Sequence, residues 1–599
     1  MIVVGAFLAL AGAAQQMPSI RVGPNVRVSS QDVPHVELML AASPTDASTL
    51  VGAAIAFIGP GGRNATLPYA SQDGGNTWYP ALLPEQIRQG GADPQVAIDP
   101  MGTAYFATLA NVVDSTGRPR AVLHVYRSRD AGRTWTGPHD LGVSYDHPQL
   151  VADPRSRTVA RLYIGVLYGR DYTVGVFRSD DGGESWRGPE VATRAPSGGI
   201  NVANMLVLSD GALFVPYSAF EIEPAKRAAA ESREFSFVVS EDGGRTFSEP
   251  THIGWQVHGG ENAVNQRRDR GHVATPQFPV YAVDRSDRFR DRIYVAWNDY
   301  RTGPSRILFS HSDDRGKTWS PAVEIAPSEQ GDQYQAVIGV NRDGVLGLLW
   351  FDTRDAGSDW RYHAYFTATT DGGQTFLPPV RVSTVSSWPL TPANVRPMPS
   401  WFPSMEGPAR LGTISAGSRW ANGGDYMGLA TGAGGAFHPF WTDSRDGPYQ
   451  IWTARIEVDE RPPPERPADS LVEALLNREI ELRMDPTTFD AGTGEAVLPV
   501  RLRNATRDTL WGPFTVQVVT AGPTGTGSTG AAAQATIVNA ANGAGGAGAM
   551  FDYADALGDF RFLPPGGVSA ALPWRVKAAD PTRTNFNFEV EIRGFRAAR

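Results

Sequence analysis

The chain of 599 residues contains no cysteine. That excludes disulfide bonds, thiol nucleophiles and cysteine-ligated zinc. Lysine is nearly as scarce: Lys226, Lys317 and Lys577 are the whole set, which leaves 51 of the 54 basic residues as arginine. The formal net charge is −9, so there is no overall positive field of the kind that holds nucleic acid. Beyond the N-terminus no segment is apolar for long enough to cross a bilayer as a helix. Long amphipathic or heptad patterns are missing too, which argues against a helical architecture.

Glycine, proline and tryptophan are plentiful, with 65, 46 and 15 copies, as suits many short strands joined by tight turns. The length exceeds one hydrophobic core and predicts two or more domains. Residues 1–16 are apolar from Ile2 to Leu10 and then run into Ala-Gly-Ala-Ala. Despite lacking a basic start, they read as a signal peptide, which predicts a secreted, periplasmic or cell-surface protein. A buried first strand is the other reading.

One octapeptide recurs six times: SQDGGNTW (Ser71 to Trp78), SRDAGRTW (Ser128 to Trp135), SDDGGESW (Ser179 to Trp186), SEDGGRTF (Ser240 to Phe247), SDDRGKTW (Ser312 to Trp319) and TTDGGQTF (Thr369 to Phe376). Successive copies start 51 to 72 residues apart, and a period of that size marks stacked supersecondary units. The turn chemistry follows from the residues. Glycine supplies a positive φ, the aspartate and hydroxyls accept or donate within the turn, and the aromatic ring tucks beneath it. A residue repeated in six units cannot belong to one active site, so these aspartates report architecture.

Around each copy the sequence allows four short strands. First strands are expected near Leu38–Ala42, Val96–Asp99, Leu150–Asp153, Met205–Leu208, Val280–Asp284, Val337–Asn341 and Met427–Thr431. That is seven units, one more than the octapeptides. The last stops without an octapeptide or fourth strand. Gly23 to Ser29, which has the style of a fourth strand, is expected to complete it and remove the open edges. The pattern resembles the Asp-box (BNR) repeat of sialidases. It implies an all-β, Asp-box β-propeller over residues 17–458, with seven blades favoured over the six usual in sialidases. A Pro-rich linker is expected at 459–475, Leu471 to Met484 as a short helix, and residues 476–599 as an immunoglobulin-like β-sandwich with a flexible Gly-rich loop at Gly522 to Gly548.

In such a blade the octapeptide turn and the turn between the first two strands share one face, so function belongs on the other. Trp297-Asn-Asp299-Tyr-Arg301, Trp350-Phe-Asp352-Thr-Arg354 and Trp441-Thr-Asp443-Ser-Arg445 end second strands there. Arg301, Arg354 and Arg445 could converge on an anionic sugar, or each could pair with its own aspartate. Strand entrances carry Glu37, Asp93, His147, Gln335 and the pair Asp425-Tyr426. Glu37 (with His35 nearby) and Asp93 are placed for acid/base work, or are solvated strand ends. Two insertions are expected to overhang this face. One, Gly259 to Thr275, carries Arg267, Arg268, Arg270 and His272. The other, Ser386 to Gly424, carries Trp388, Trp401 and Trp420, suited to sugar stacking.

The sialidase resemblance implies that Tyr426, in Tyr426-Met-Gly-Leu429, is the nucleophile. The family's first Arg is absent near His35-Val-Glu-Leu38, Asn204 stands near its expected Glu, and Val215-Pro-Tyr217-Ser lacks its Arg. The expected function is a secreted, sialidase-like glycoside hydrolase on an acidic or complex glycan, with Tyr426, Glu37 and Asp93 catalytic. Arg301, Arg354, Arg445, His147 and Asp425 are expected to bind substrate. No metal or cofactor is expected. The alternatives are a non-catalytic propeller that binds glycan or protein, and a lyase on uronic-acid polysaccharides using His147 or His35 with a tyrosine.

Overall fold

The computed structural model describes residues 18–598, except 114, 118, 144, 170–172, 195–198, 221–231, 259–277, 329, 356–360, 403–409, 421–422, 460–470, 485–486, 491–492, 524–535, 564, 570 and 578–585. The expected signal peptide and the Arg-rich insertion with Arg267, Arg268, Arg270 and His272 lie outside the described residues.

Among the described residues seven antiparallel sheets follow one another along the chain, five of four strands, one of five and one of six, almost without helix. In the first, His35–Ala42, Leu50–Ala56, Ala65–Ser71 and Tyr79–Pro80 pair in sequence order. The innermost strands of successive sheets lie side by side, and that of the seventh returns to that of the first, so the sheets form a closed ring. The seventh sheet takes Gly428–Thr431, Phe437–Asp443 and Gln450–Thr453 from one end of the ring and Val26–Arg27 from the other, with Val26 opposite Thr453. Ser19–Val22 adds a second clasp by pairing with Ile456–Asp459. Closure satisfies edge hydrogen bonds that would otherwise attract other chains.

The six octapeptides fold alike. In each, the first hydroxyl donates to the aspartate at 2.7–2.9 Å and accepts the fifth residue's N–H. The seventh residue's hydroxyl donates to the second aspartate oxygen at 2.5–2.7 Å. The fifth residue is glycine, with φ between 81° and 94°. A Cβ on Gly316 would stand 2.6 Å from the Phe237 ring. Rings of Trp78, Trp135 and Phe376 seat against Phe440, Phe106 and Phe309. Arginines stitch sheet to sheet by donating to octapeptide glycine carbonyls: Arg127 to Gly182, Arg178 to Gly243 and Arg292 to Gly372.

After the ring, two five-stranded sheets enclose one core, with Val516, Val518 and Ile592 from one facing Leu498, Trp574 and Val576 from the other. Phe551 stacks on Trp574 at 4.0 Å. The helix expected over Leu471 to Met484 is instead two strands, Leu471–Leu475 and Ile480–Met484. Each pairs with a long strand, Phe586–Ala597 or Glu495–Asn504, and pairing on a sheet edge outweighs a weak local helix preference. Thr536–Ile537, inside the expected Gly-rich loop, is also a strand.

Candidate active site

Four inner strands break register at equivalent places: between Val36 and Met39, Ala92 and Gln95, Asp146 and Gln149, and Tyr334 and Val337. At each break stands a non-glycine residue in the left-handed region: Glu37 (φ 56°), Asp93 (51°), His147 (46°) and Gln335 (53°). The conformation costs roughly 1–2 kcal/mol per residue. Bulges of this kind re-aim a side chain, and strained residues cluster at functional sites.

These four residues converge with the segment that enters the seventh sheet. Tyr426 Oη and His147 Nδ1 share a hydrogen bond of 2.6 Å. The His147 backbone N–H donates to Asp93 Oδ2 at 3.2 Å and to Asp146 Oδ1 at 3.0 Å. Trp420 Nε1–H donates to Glu37 Oε1 at 2.7 Å, while Glu37 Oε2 is buried without a partner. Backbone contacts lock the segment: Glu37 N–H donates to Gly423 O at 2.7 Å and Leu38 N–H to Tyr426 O at 3.2 Å. Gln335 Nε2 donates to Gly424 O at 2.9 Å and Tyr426 O at 3.2 Å. A Cβ on Gly424 would lie 2.4 Å from Glu37 Cγ, so only glycine fits there.

Burial and crowding of like charges set the electrostatics. Burial raises the Glu37 carboxyl well above its usual range, and Asp93 and Asp425 push it further against Arg419 and the Trp420 hydrogen bond. Burial and neighbouring Asp146 lift Asp93 to about 7, with His147 pulling the other way. For His147, burial opposes the cation, but Asp146, Asp93 and Asp425 outweigh it and the pKa rises. Tyr426 is held as a neutral phenol by burial and by Asp93, Glu37 and Asp425. Two carboxyls with raised pKa values beside a Tyr–His pair can donate and accept protons in one place.

A cavity of about 190 Å³ opens at this mouth, with His147, Asp425, Tyr426 and Gln335 on its wall. Glu37 and Asp93 lie behind that wall, 3% and 8% exposed.

The three Trp-x-Asp-x-Arg arginines are held elsewhere. Arg301 donates to both oxygens of Asp299 at 2.7 and 2.9 Å. Arg354 donates to Asp352 at 2.6 and 2.9 Å, and Arg445 to Asp443 at 2.6 and 3.1 Å. Each aspartate also accepts its motif's indole N–H, from Trp297, Trp350 or Trp441. Every guanidinium is therefore engaged within its own sheet. His35 is fully buried and kept near 4 by that burial, with Nδ1 on Val33 O at 2.8 Å. Trp420, expected as a stacking platform, is 2% exposed and gives its N–H to Glu37.

Sequence reasoning missed Asp146, Arg419 and the service of Trp420. Asp93-Pro94 and His147-Pro148 occupy matching bulges. That match was the available signal for Asp146, which precedes the second of them. Among the described residues no group of three or more His, Asp or Glu is arranged to hold a metal ion, and no helix is long and apolar enough to cross a membrane.

No protein-family profile matches the chain, and no curated protein matches it in sequence. Solved structures do. An α-L-arabinofuranosidase from Fusarium graminearum is 15% identical, spanning 58% of this chain and 98% of that one, with a TM-score of 0.39. A polysaccharide (ulvan) lyase is 11% identical over 65% of this chain and 96% of its own, at 0.40. A Hadza microbial sialidase is 13% identical over 74% and 94%, at 0.34.

Proposed function

We propose that the chain is a secreted glycoside hydrolase on a seven-bladed Asp-box β-propeller, with an immunoglobulin-like sandwich appended. Its chemistry sits at the channel mouth, on the face away from the octapeptides. The observation that carries this is the 2.6 Å hydrogen bond between Tyr426 Oη and His147 Nδ1, on the cavity wall and among the carboxyls of Glu37, Asp93, Asp146 and Asp425. Tyr426 Oη attacks the anomeric carbon while its proton passes to His147 Nδ1, and Asp93, behind the cavity wall, protonates the departing glycosidic oxygen through one intervening water. Water then cleaves the tyrosyl–sugar bond, its proton returning to Asp93 while Tyr426 Oη takes its own proton back from His147. Carboxylates stabilise the positive charge of an oxocarbenium-like transition state.

The same charges speak for a neutral sugar at the reacting centre. Arg419 is the arginine that acts on both Glu37 and His147, whereas Arg301, Arg354 and Arg445 are each occupied by an aspartate. Uronate elimination is the second reading, because a His–Tyr pair can supply both its base and its acid. It would also need cations to neutralise the uronate.

Purified protein should turn over members of a fluorogenic glycoside and glycan panel, and Tyr426→Phe should lower kcat by about a hundredfold or more. Unchanged turnover would remove Tyr426 from the mechanism. A product with the ultraviolet absorbance of an unsaturated uronate would replace hydrolysis by elimination, and inactivity on the whole panel would leave a binding protein.

A further inference from the structure

Below the mouth the channel changes character. Past the register breaks, Met39 of the first sheet, Val280 of the fifth, Val337 of the sixth and Leu429 of the seventh stand on the cavity wall. All four are partly buried, so four sheets present aliphatic side chains to the cavity. The third sheet presents the amide of Gln149 and the fourth that of Asn204, which is held on the Tyr281 backbone. The cavity thus has a proton-transferring rim, an amide wall and an aliphatic sleeve. Its volume suits one sugar ring and not a polymer strand.

A plain hexose would bury its C6 hydroxyl against Met39, Val280, Val337 and Leu429, none of which offers a side-chain hydrogen-bonding group, and an unpaired buried hydroxyl is costly. A methyl group in the same place gains from leaving water. We propose that the cavity receives a terminal 6-deoxyhexose, with its C6 methyl in the sleeve and its ring hydroxyls toward Gln149 and the rim. This rests on the hydrolase reading only for what happens at the anomeric carbon; recognition of the methyl edge stands on the sleeve.

The test is binding of sugars that differ by one oxygen. D-fucose against D-galactose, and L-rhamnose against L-mannose, are titrated into the full-length protein by calorimetry and followed by saturation-transfer NMR. At least one deoxy sugar should bind about tenfold or more tighter than its partner, with the methyl protons receiving the strongest saturation. Val337→Asn should erase the discrimination and Val337→Ile should keep it. If Val337→Asn does not fold, Met39→Gln serves the same purpose. Equal or tighter binding of the hexoses, tighter binding of an N-acetylhexosamine, or no binding in either pair overturns the inference. Discriminating binding without turnover of any fluorogenic deoxyglycoside leaves the sleeve standing and removes the hydrolase. Hydrolysis of galactosides or mannosides without preference does the reverse.

Discussion

Glu37, Asp93, His147 and Gln335 hold a backbone conformation that L-residues avoid, and three of them carry the titratable groups of the mouth. Acid catalysis by Asp93 requires its proton, and acceptance by His147 requires a neutral ring. The pH–rate profile should therefore be a narrow bell near neutrality, with Asp93 at about 7 as its basic limb. After burial, Asp146 is the largest influence lifting Asp93. Asp146→Asn should consequently move the basic limb to lower pH, and an unmoved limb would assign it to another group. Stability follows the buried groups in opposite directions. His438 is pulled to about 3 and His35 to about 4 by burial, so both fold neutral. Their contribution is complete above about 6.5 and lost as pH falls toward those values, because the unfolded chain takes up the protons. Asp93 runs the other way: its contribution is full below about 3.9 and lost as pH rises through 7. As pH falls from 7 to about 4, the melting temperature of His438→Gln should rise relative to that of the parent chain.

At the scale of elements, the octapeptide is a turn device. Asp371 accepts four hydrogen bonds, from Thr369, Gln374 and twice from Thr375. Asp371→Ala should cost about 1–2 kcal/mol in chemical denaturation and leave kcat unchanged. A lost activity would place chemistry on the octapeptide face. The insertion before the seventh sheet does the opposite service, since its buried Trp420 holds Glu37 and its end delivers Tyr426 to His147. Trp420→Phe keeps the ring packing on Phe57 but removes the N–H. It should lower kcat several-fold with KM little changed, and a change confined to KM would make Trp420 a substrate contact. The turns were legible because six copies repeat one local hydrogen-bond code. The task of Trp420 was not, because its partner lies 383 residues away and an indole N–H bears no sequence mark of what will accept it. The strand Leu471–Leu475 was misread for a related reason: its pairing partner, Leu471 with Ala597, sits at the far end of the chain.

At the scale of the whole molecule, the ring depends on a clasp between its two chain ends. Val28, 3% exposed, donates its N–H to Ile451 O behind the Val26–Arg27 strand. Val28→Asp should destabilise the ring by about 3 kcal/mol or more, read as a lowered melting temperature. An unchanged melting temperature would mean that the clasp is not needed for closure. The repeat period and turn chemistry by themselves determined the sheet architecture, because each turn is written in contacts a few residues long; the strand that completes the seventh sheet was legible from its likeness to a fourth strand, although its partner Thr453 lies at the other end of the ring. Glu37, Asp93, His147, Asp425 and Tyr426 were legible as strand-entrance residues for the same reason. Only the tertiary structure decided that they meet at one mouth, while Arg301, Arg354 and Arg445 remain on their own aspartates. Whether a side chain faces the axis or its own sheet depends on a register break and on neighbours brought round by ring closure, and spacing along the chain encodes neither.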